Sequence, residues 1–231
     1  MDDSVTLEAV DADGAIREAA DGVAGDTRAR FLAKAGLFGG GLLGGGALLG
    51  ATADGAQAAT KGDIAILNFA LTLEYLEAAF YAEAVRMGAL SGETKRFAKV
   101  VAGHEATHVA TLKKVLGSAA VKRPRFDFRG TTESASKFRA TAQTLEDTGV
   151  SAYKGQAPRI AGDAYLAAAL SIHSVEARHA AWIREIRGVA PAPAAFDKPL
   201  TKKQVLSAVA GTHFIVGTRS TRTSGTPPFT G

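Results

Sequence analysis

Cysteine is absent from all 231 residues. That excludes a disulfide framework, a thiolate zinc site, an iron–sulfur cluster and a cysteine-ligated iron relay within this chain. Methionine occurs only as Met1 and Met87, and aromatic residues make up just 7% of the chain. Ala and aliphatic residues dominate instead, a composition suited to closely packed helices. The apolar run Ala35–Ala51 is 17 residues long and loaded with Gly, which puts it at the short edge of what spans a bilayer.

Charge is unevenly spread. Residues 1–58 hold nine acids and four bases, leaving 14 of the 23 acids and 23 of the 27 bases to residues 59–231, a balance of +9 there. Bases cluster at Lys122-Arg123-Pro124-Arg125 and Arg129. Such a patch can meet nucleic acid or an anionic surface, but a soluble basic protein is the expected reading, without a nucleic-acid partner. At the front, Arg28-Ala29-Arg30-Phe31-Leu32-Ala33-Lys34 precedes the apolar run, and Ala56-Gln57-Ala58 follows it. Basic flank, apolar stretch and small-residue site together describe an export signal. It resembles a twin-arginine signal in which Ala29 stands for the second Arg. The expected division is therefore a leader over 1–58, a folded domain over 59–200, and a short helix with a loose tail over 201–231. Export to the periplasm, cell envelope or exterior follows from the leader. Membrane contact is expected only through that segment, if it is retained.

The most informative pattern lies further on. Glu105-Ala106-Thr107-His108 and Glu176-Ala177-Arg178-His179 repeat one Glu-x-x-His spacing 71 residues apart. Ahead of each lies a Glu with a Tyr seven residues on, Glu74 with Tyr81 and Glu146 with Tyr153, 72 residues apart. Single Glu residues from two helices and Glu-x-x-His pairs from two others are the ligand set of a bundle holding two carboxylate-bridged metal ions. The near-equal offsets make two helical hairpins related by an approximate two-fold axis, each supplying half a site.

Periodicity predicts the helices. The first runs from about Asp63 to Arg86, with Leu67, Leu71, Glu74, Ala78, Tyr81 and Val85 on one stripe and Gly88 as the stop. Ser91 can cap a second helix ending at Leu116, whose inner stripe is Phe97, Val101, Glu105, His108, Leu112 and Val115. Residues 118–132 lack helical periodicity and form a long link. A third helix starts near Thr132 or Ser134 and ends at Lys154, with Gly155 and Pro158 behind it; a fourth covers about Ile160 to Arg187. A short helix is expected over Thr201–Val209, and a chain that is loose or wrapped on the surface after Gly211.

Glu at four inward positions of apolar stripes needs a counter-charge, because buried acids are costly alone. A Glu and a His three residues apart share one helix face, so carboxylates can bridge two divalent ions while imidazoles fill terminal positions. Glu77, one turn from Glu74, competes with it as ligand or serves as an additional one. Tyr81 and Tyr153 are either core aromatics or donors to ligand carboxylates across the bundle. His104 completes a literal His-Glu-x-x-His with Glu105 and His108, the zinc-protease motif; that reading leaves Glu176 and His179 unexplained. His173 fits a core or supporting role better than ligation. Two rivals to an active metal centre remain: a stress or structural protein in which metal is only a staple, and a basic binding protein using the Lys122–Arg129 patch.

The segments Leu73–Tyr81, Thr144–Tyr153 and Ser174–Trp182 resemble the ferritin-like superfamily, and within it the exported branch that includes desiccation-related proteins. The resemblance covers about residues 60–200. It implies an all-α, antiparallel four-helix bundle with one long crossover between helices 2 and 3. It also implies a di-iron centre, with manganese or a mixed pair as the alternative, at Glu74, Glu105, His108, Glu146, Glu176 and His179. Oxygen, peroxide or ferrous iron would be the substrate, and a homo-oligomer is compatible with it. Members oxidise and store iron, reduce peroxide, dismutate it with manganese, or oxidise organic substrates. The lack of cysteine removes a rubrerythrin-like relay from this list, and two methionines leave little room for a methionine-ligated haem.

Overall fold

The computed structural model describes residues 59–216. The export signal, its cleavage site, the retained-anchor alternative and the tail from residue 217 on lie outside the described residues. Four long helices make the domain: α1 (Lys61–Met87), α2 (Gly92–Leu116), α3 (Ala135–Gln156) and α4 (Asp163–Ile186). A shorter α5 (Lys202–Thr212) follows, and two-residue strands β1 (Arg125–Phe126) and β2 (Ile215–Val216) pair antiparallel.

Local chemistry sets the helix ends. Thr60 caps α1: its hydroxyl accepts from the Asp63 amide at 3.0 Å, while the Asp63 carboxylate accepts from the Thr60 amide at 3.1 Å. Both orphan donors of the first turn are thereby satisfied. The other oxygen of Asp63 accepts from the Ala161 amide at 2.8 Å, tying this cap to the turn before α4. Gly88 ends α1 with φ 72°, a left-handed position suited to glycine. Ser91 and Ser134 sit at the N-caps of α2 and α3, as their positions predict, but neither side chain makes a capping hydrogen bond.

The order of apolar residues gives the topology. Each helix passes through one apolar cluster, a polar layer, and a second apolar cluster. Going up α1, the chain meets Leu67 and Leu71, then Glu74 and Glu77, then Phe80, Tyr81 and Ala84. Along α2 the order reverses: Phe97 and Val101, Glu105 and His108, then Leu112 and Leu116. The third helix runs the same way as α2, from Phe138 and Ala142 through Glu146 to Tyr153, and α4 reverses again. Thus α1–α2 and α3–α4 are antiparallel hairpins, while α2 and α3 run parallel. The link over 117–134 must therefore traverse the bundle's length, which is the expected long crossover. The fold is all-α, as the sequence predicts.

Three details differ from expectation. Helix α3 does not stop at Lys154 but continues through Gly155 to Gln156. Gly155 serves close approach instead: a Cβ there would lie 1.9 Å from the Leu200 carbonyl oxygen, and the Leu200 amide donates to the Ser151 carbonyl at 3.0 Å. Val85 is 38% exposed, and Ala84 takes the buried position on α1. The chain just past Gly211 is anchored, not loose. Phe214 is buried edge-on against Phe128, 5.3 Å between centroids, and β2 pairs with β1 in the crossover. The anchor is a single buried aromatic, which composition does not announce.

Candidate metal centre

The polar layer between the two apolar clusters is where the predicted residues meet. Glu74 and Glu77 enter from α1, Glu105 and His108 from α2, Glu146 from α3, and Glu176 and His179 from α4; all seven are buried. Each pair spaced by three residues presents both side chains to the same face, one turn apart.

The two histidines define two halves. Nδ1 of His108 lies 3.2 Å from Oε2 of Glu74, 3.3 Å from Oε2 of Glu105 and 3.0 Å from Oε1 of Glu176. Nδ1 of His179 lies 3.2 Å from Oε1 of Glu105, 3.4 Å from Oε2 of Glu146 and 3.6 Å from Oε2 of Glu176. Glu105 and Glu176 each give one oxygen to either half; Glu74 and Glu146 each belong to one. In each four-residue group the ligand atoms lie within 4.8 Å of one another. Two carboxylates are thus shared between the groups and two are not.

The tyrosines complete the two-fold pattern. The Tyr81 hydroxyl on α1 donates to Oε1 of Glu146 on α3, and the Tyr153 hydroxyl on α3 donates to Oε1 of Glu74 on α1 over 2.5 Å. Burial and the adjacent carboxylate push both phenols well above their ordinary range, so they remain donors. Each tyrosine occupies one carboxylate oxygen, leaving the other turned into the layer, where Oε2 of Glu74 meets Nδ1 of His108 and Oε2 of Glu146 has no hydrogen-bond partner.

What remains free decides whether a metal fits. Oε1 of Glu105, Oε2 of Glu146, both oxygens of Glu176 and Nδ1 of His179 are buried without a hydrogen-bond partner. Several of these atoms stand within 3.2–3.6 Å of each other, yet point at a common space rather than along hydrogen bonds. A buried polar atom left unpaired costs about 1–3 kcal/mol, more when charged. Four carboxylates carry the charge that two divalent cations neutralise. Oxygen and imidazole donors suit iron and manganese. The residues fit a dinuclear centre.

Electrostatics without metal say the same. Burial opposes charge on His179, but the carboxylates of Glu105, Glu146 and Glu176 outweigh it and push the imidazole up to about 12. His108 is raised likewise by Glu105, Glu176 and Glu74. Burial lifts Glu146 to about 7, with Glu176 adding repulsion and His179 pulling back. Glu105 is raised by burial and by its acidic neighbours. Glu176 is held at about 2 despite burial, because both imidazoles address it. Protonated histidines thus stand in for cations, and metal must displace those protons to bind.

The remaining candidates fall outside both groups. Glu77 is buried, and burial followed by Glu176 and Glu146 pushes its carboxyl well above the usual range. It leans toward Gly149, where a Cβ would lie 3.3 Å from Oε1 of Glu77. The 72-residue offset maps Glu77 onto Gly149, so this is where the two-fold symmetry breaks. His173 is half-buried, with an unpartnered Nδ1 and a pKa lowered mainly by burial. His104 is exposed, and its Nδ1 lies 2.8 Å from Nε2 of His179, the nitrogen that points away from the acids. His104 therefore turns to α4 instead of joining His108, contrary to the zinc-protease geometry. Neither the Gly149 space nor the His104 contact is legible in the sequence; the offset that pairs Glu77 with Gly149 is the one signal for the first.

A model of the ferritin-like domain matches residues 62–189, more than half the chain, and the chain belongs to that family. No curated protein matches it.

Proposed function

We propose that the chain holds two redox-active divalent ions in this layer, iron first and manganese as the alternative, and uses them on oxygen or peroxide. The observation that carries the reading is the sharing of Glu105 and Glu176 between two histidine-headed halves, with Oε1 of Glu105 and both oxygens of Glu176 buried and unpartnered. Glu105 and Glu176 would bridge the ions, Glu74 with His108 and Glu146 with His179 would complete the two ends, and Glu77 is placed to add a carboxylate. Such an ion pair supplies electrons to a small oxidant.

The chain's own residues set the conditions. Four carboxylates keep the net charge of a divalent pair near zero. Tyr81 and Tyr153 hold Glu146 and Glu74 by their outer oxygens, which orients the inner ones. Apolar clusters flank the layer, and its Glu and His side chains are buried. We further propose export, on the Arg28–Ala58 pattern, and a role against oxidants under stress.

The test is consumption of oxygen and of peroxide by protein loaded anaerobically with ferrous iron and then supplied with excess ferrous iron as electron donor. Repeated turnover that is lost in Glu105→Ala and Glu176→Ala supports the reading. Tight metal binding with no consumption of either oxidant would reduce the centre to a structural staple.

A further inference from the structure

The two halves of the centre are not supported alike. His179 presents Nδ1 to the carboxylates and Nε2 to His104, whose Nδ1 lies 2.8 Å away. The two rings are nearly coplanar, with 18° between planes and 5.1 Å between centroids, so the two nitrogens meet edge to edge. His104 comes from α2 and His179 from α4, so the contact crosses the bundle. The 71-residue offset that superposes the two Glu-x-x-His motifs maps His104 onto Val175, which has no hydrogen-bonding side chain. Any equivalent support for His108 from that position is therefore missing.

Tautomer chemistry gives the contact a direction. To offer a lone pair to a cation among the carboxylates, Nδ1 of a neutral His179 must be unprotonated, so the ring proton sits on Nε2. Nε2–H then donates, and Nδ1 of His104 accepts. The reverse arrangement, with His104 donating, would leave the His179 proton on Nδ1, aimed at the space a cation needs. An imidazole ligand whose far nitrogen donates to a fixed acceptor is held in tautomer and ring orientation.

We infer that His104 is a positioning residue for one half of the metal centre: it accepts the Nε2–H of His179 and so fixes that ring as an Nδ1 ligand, a support that the His108 half lacks. The inference rests on the metal-centre reading. Its consequence is inequality: of two otherwise matched ends, the His179 end depends on a solvent-facing residue outside the ligand set.

The experiment titrates Co2+ into the metal-free full chain and follows ligand-field absorption, with elemental analysis for stoichiometry. Wild type is expected to take up two Co2+. In His104→Ala one of the two steps should lose roughly 10- to 100-fold in affinity, while the other step is unchanged. His104→Asn places an amide oxygen near the position of Nδ1 and should restore most of that loss, whereas His104→Leu should not. Unchanged binding in His104→Ala, or an Asn variant no better than Leu, would overturn the inference while leaving the centre intact. Failure of wild type to bind two Co2+ would defeat the metal-centre reading itself, and this inference with it.

Discussion

A layer of acids assembled for metal should be a burden to the protein without metal, and Glu146→Gln measures that burden. Glu146 is fully buried beside Glu176, and its carboxyl is raised from an ordinary 4.5 to about 7. A folded-state value above the unfolded one means that the native protein binds the proton more tightly. Stability from this group is then complete below about pH 4.5 and is lost as pH rises to about 7. The shift corresponds to about 3 kcal/mol at neutral pH. Gln keeps an oxygen to accept from Tyr81 and removes the charge. The metal-free variant should therefore melt about 6–12 °C above wild type at pH 7.5, since 1 kcal/mol moves a domain of this size by about 2–4 °C. Near pH 4.5 the two should coincide. His179 reinforces the trend in the wild type, because its raised value also makes stability fall above about pH 6.5. Adding metal should reverse the order, since wild type gains binding energy that the variant has lost. Thermal melts with and without chelator, at both pH values, give the answer. A metal-free variant less stable than wild type at pH 7.5 would mean that the Glu146 charge stabilises the empty layer instead of burdening it.

Other outcomes follow from the same geometry. Tyr81→Phe and Tyr153→Phe each remove a donor to a terminal carboxylate; each should weaken one metal-binding step, read by calorimetric titration, and the double variant should weaken both. Asp63→Ala removes a cap and the tether to Ala161, so it should cost about 1–2 kcal/mol in denaturant unfolding and leave metal stoichiometry unchanged. A loss of metal in Asp63→Ala would mean that the bundle's end and its polar layer are coupled more tightly than the contacts indicate.

Much of this architecture is readable from residues alone because a shared layer of Glu and His side chains imposes spacing on the helices that build it. Two Glu-x-x-His pairs and two Glu–Tyr pairs at offsets of 71 and 72 can be recognised without coordinates, and the four helices that carry them follow from the apolar residues between. What is not readable depends on approach between distant segments. Gly155 looks like a helix stop but is a contact with Leu200, and Phe214 in a polar tail is buried under the crossover. Glu77 sits beside Glu74 in sequence as an equal candidate; only the space at Gly149 shows how its carboxylate fits in beside Glu176. Likewise His104 reads as half of a zinc motif with His108, whereas rotation by one residue along α2 carries it to the outer nitrogen of His179.

The proposed centre needs six side chains to converge on a pair of cations. Diffraction from crystals grown with ferrous iron, with anomalous maps at the iron absorption edge, would locate those cations. Two peaks about 3.5–4 Å apart, one beside His108 and one beside His179, with Glu105 and Glu176 reaching both, are the predicted result. A single peak held by His104 and His108, or no peak within the layer, would contradict it.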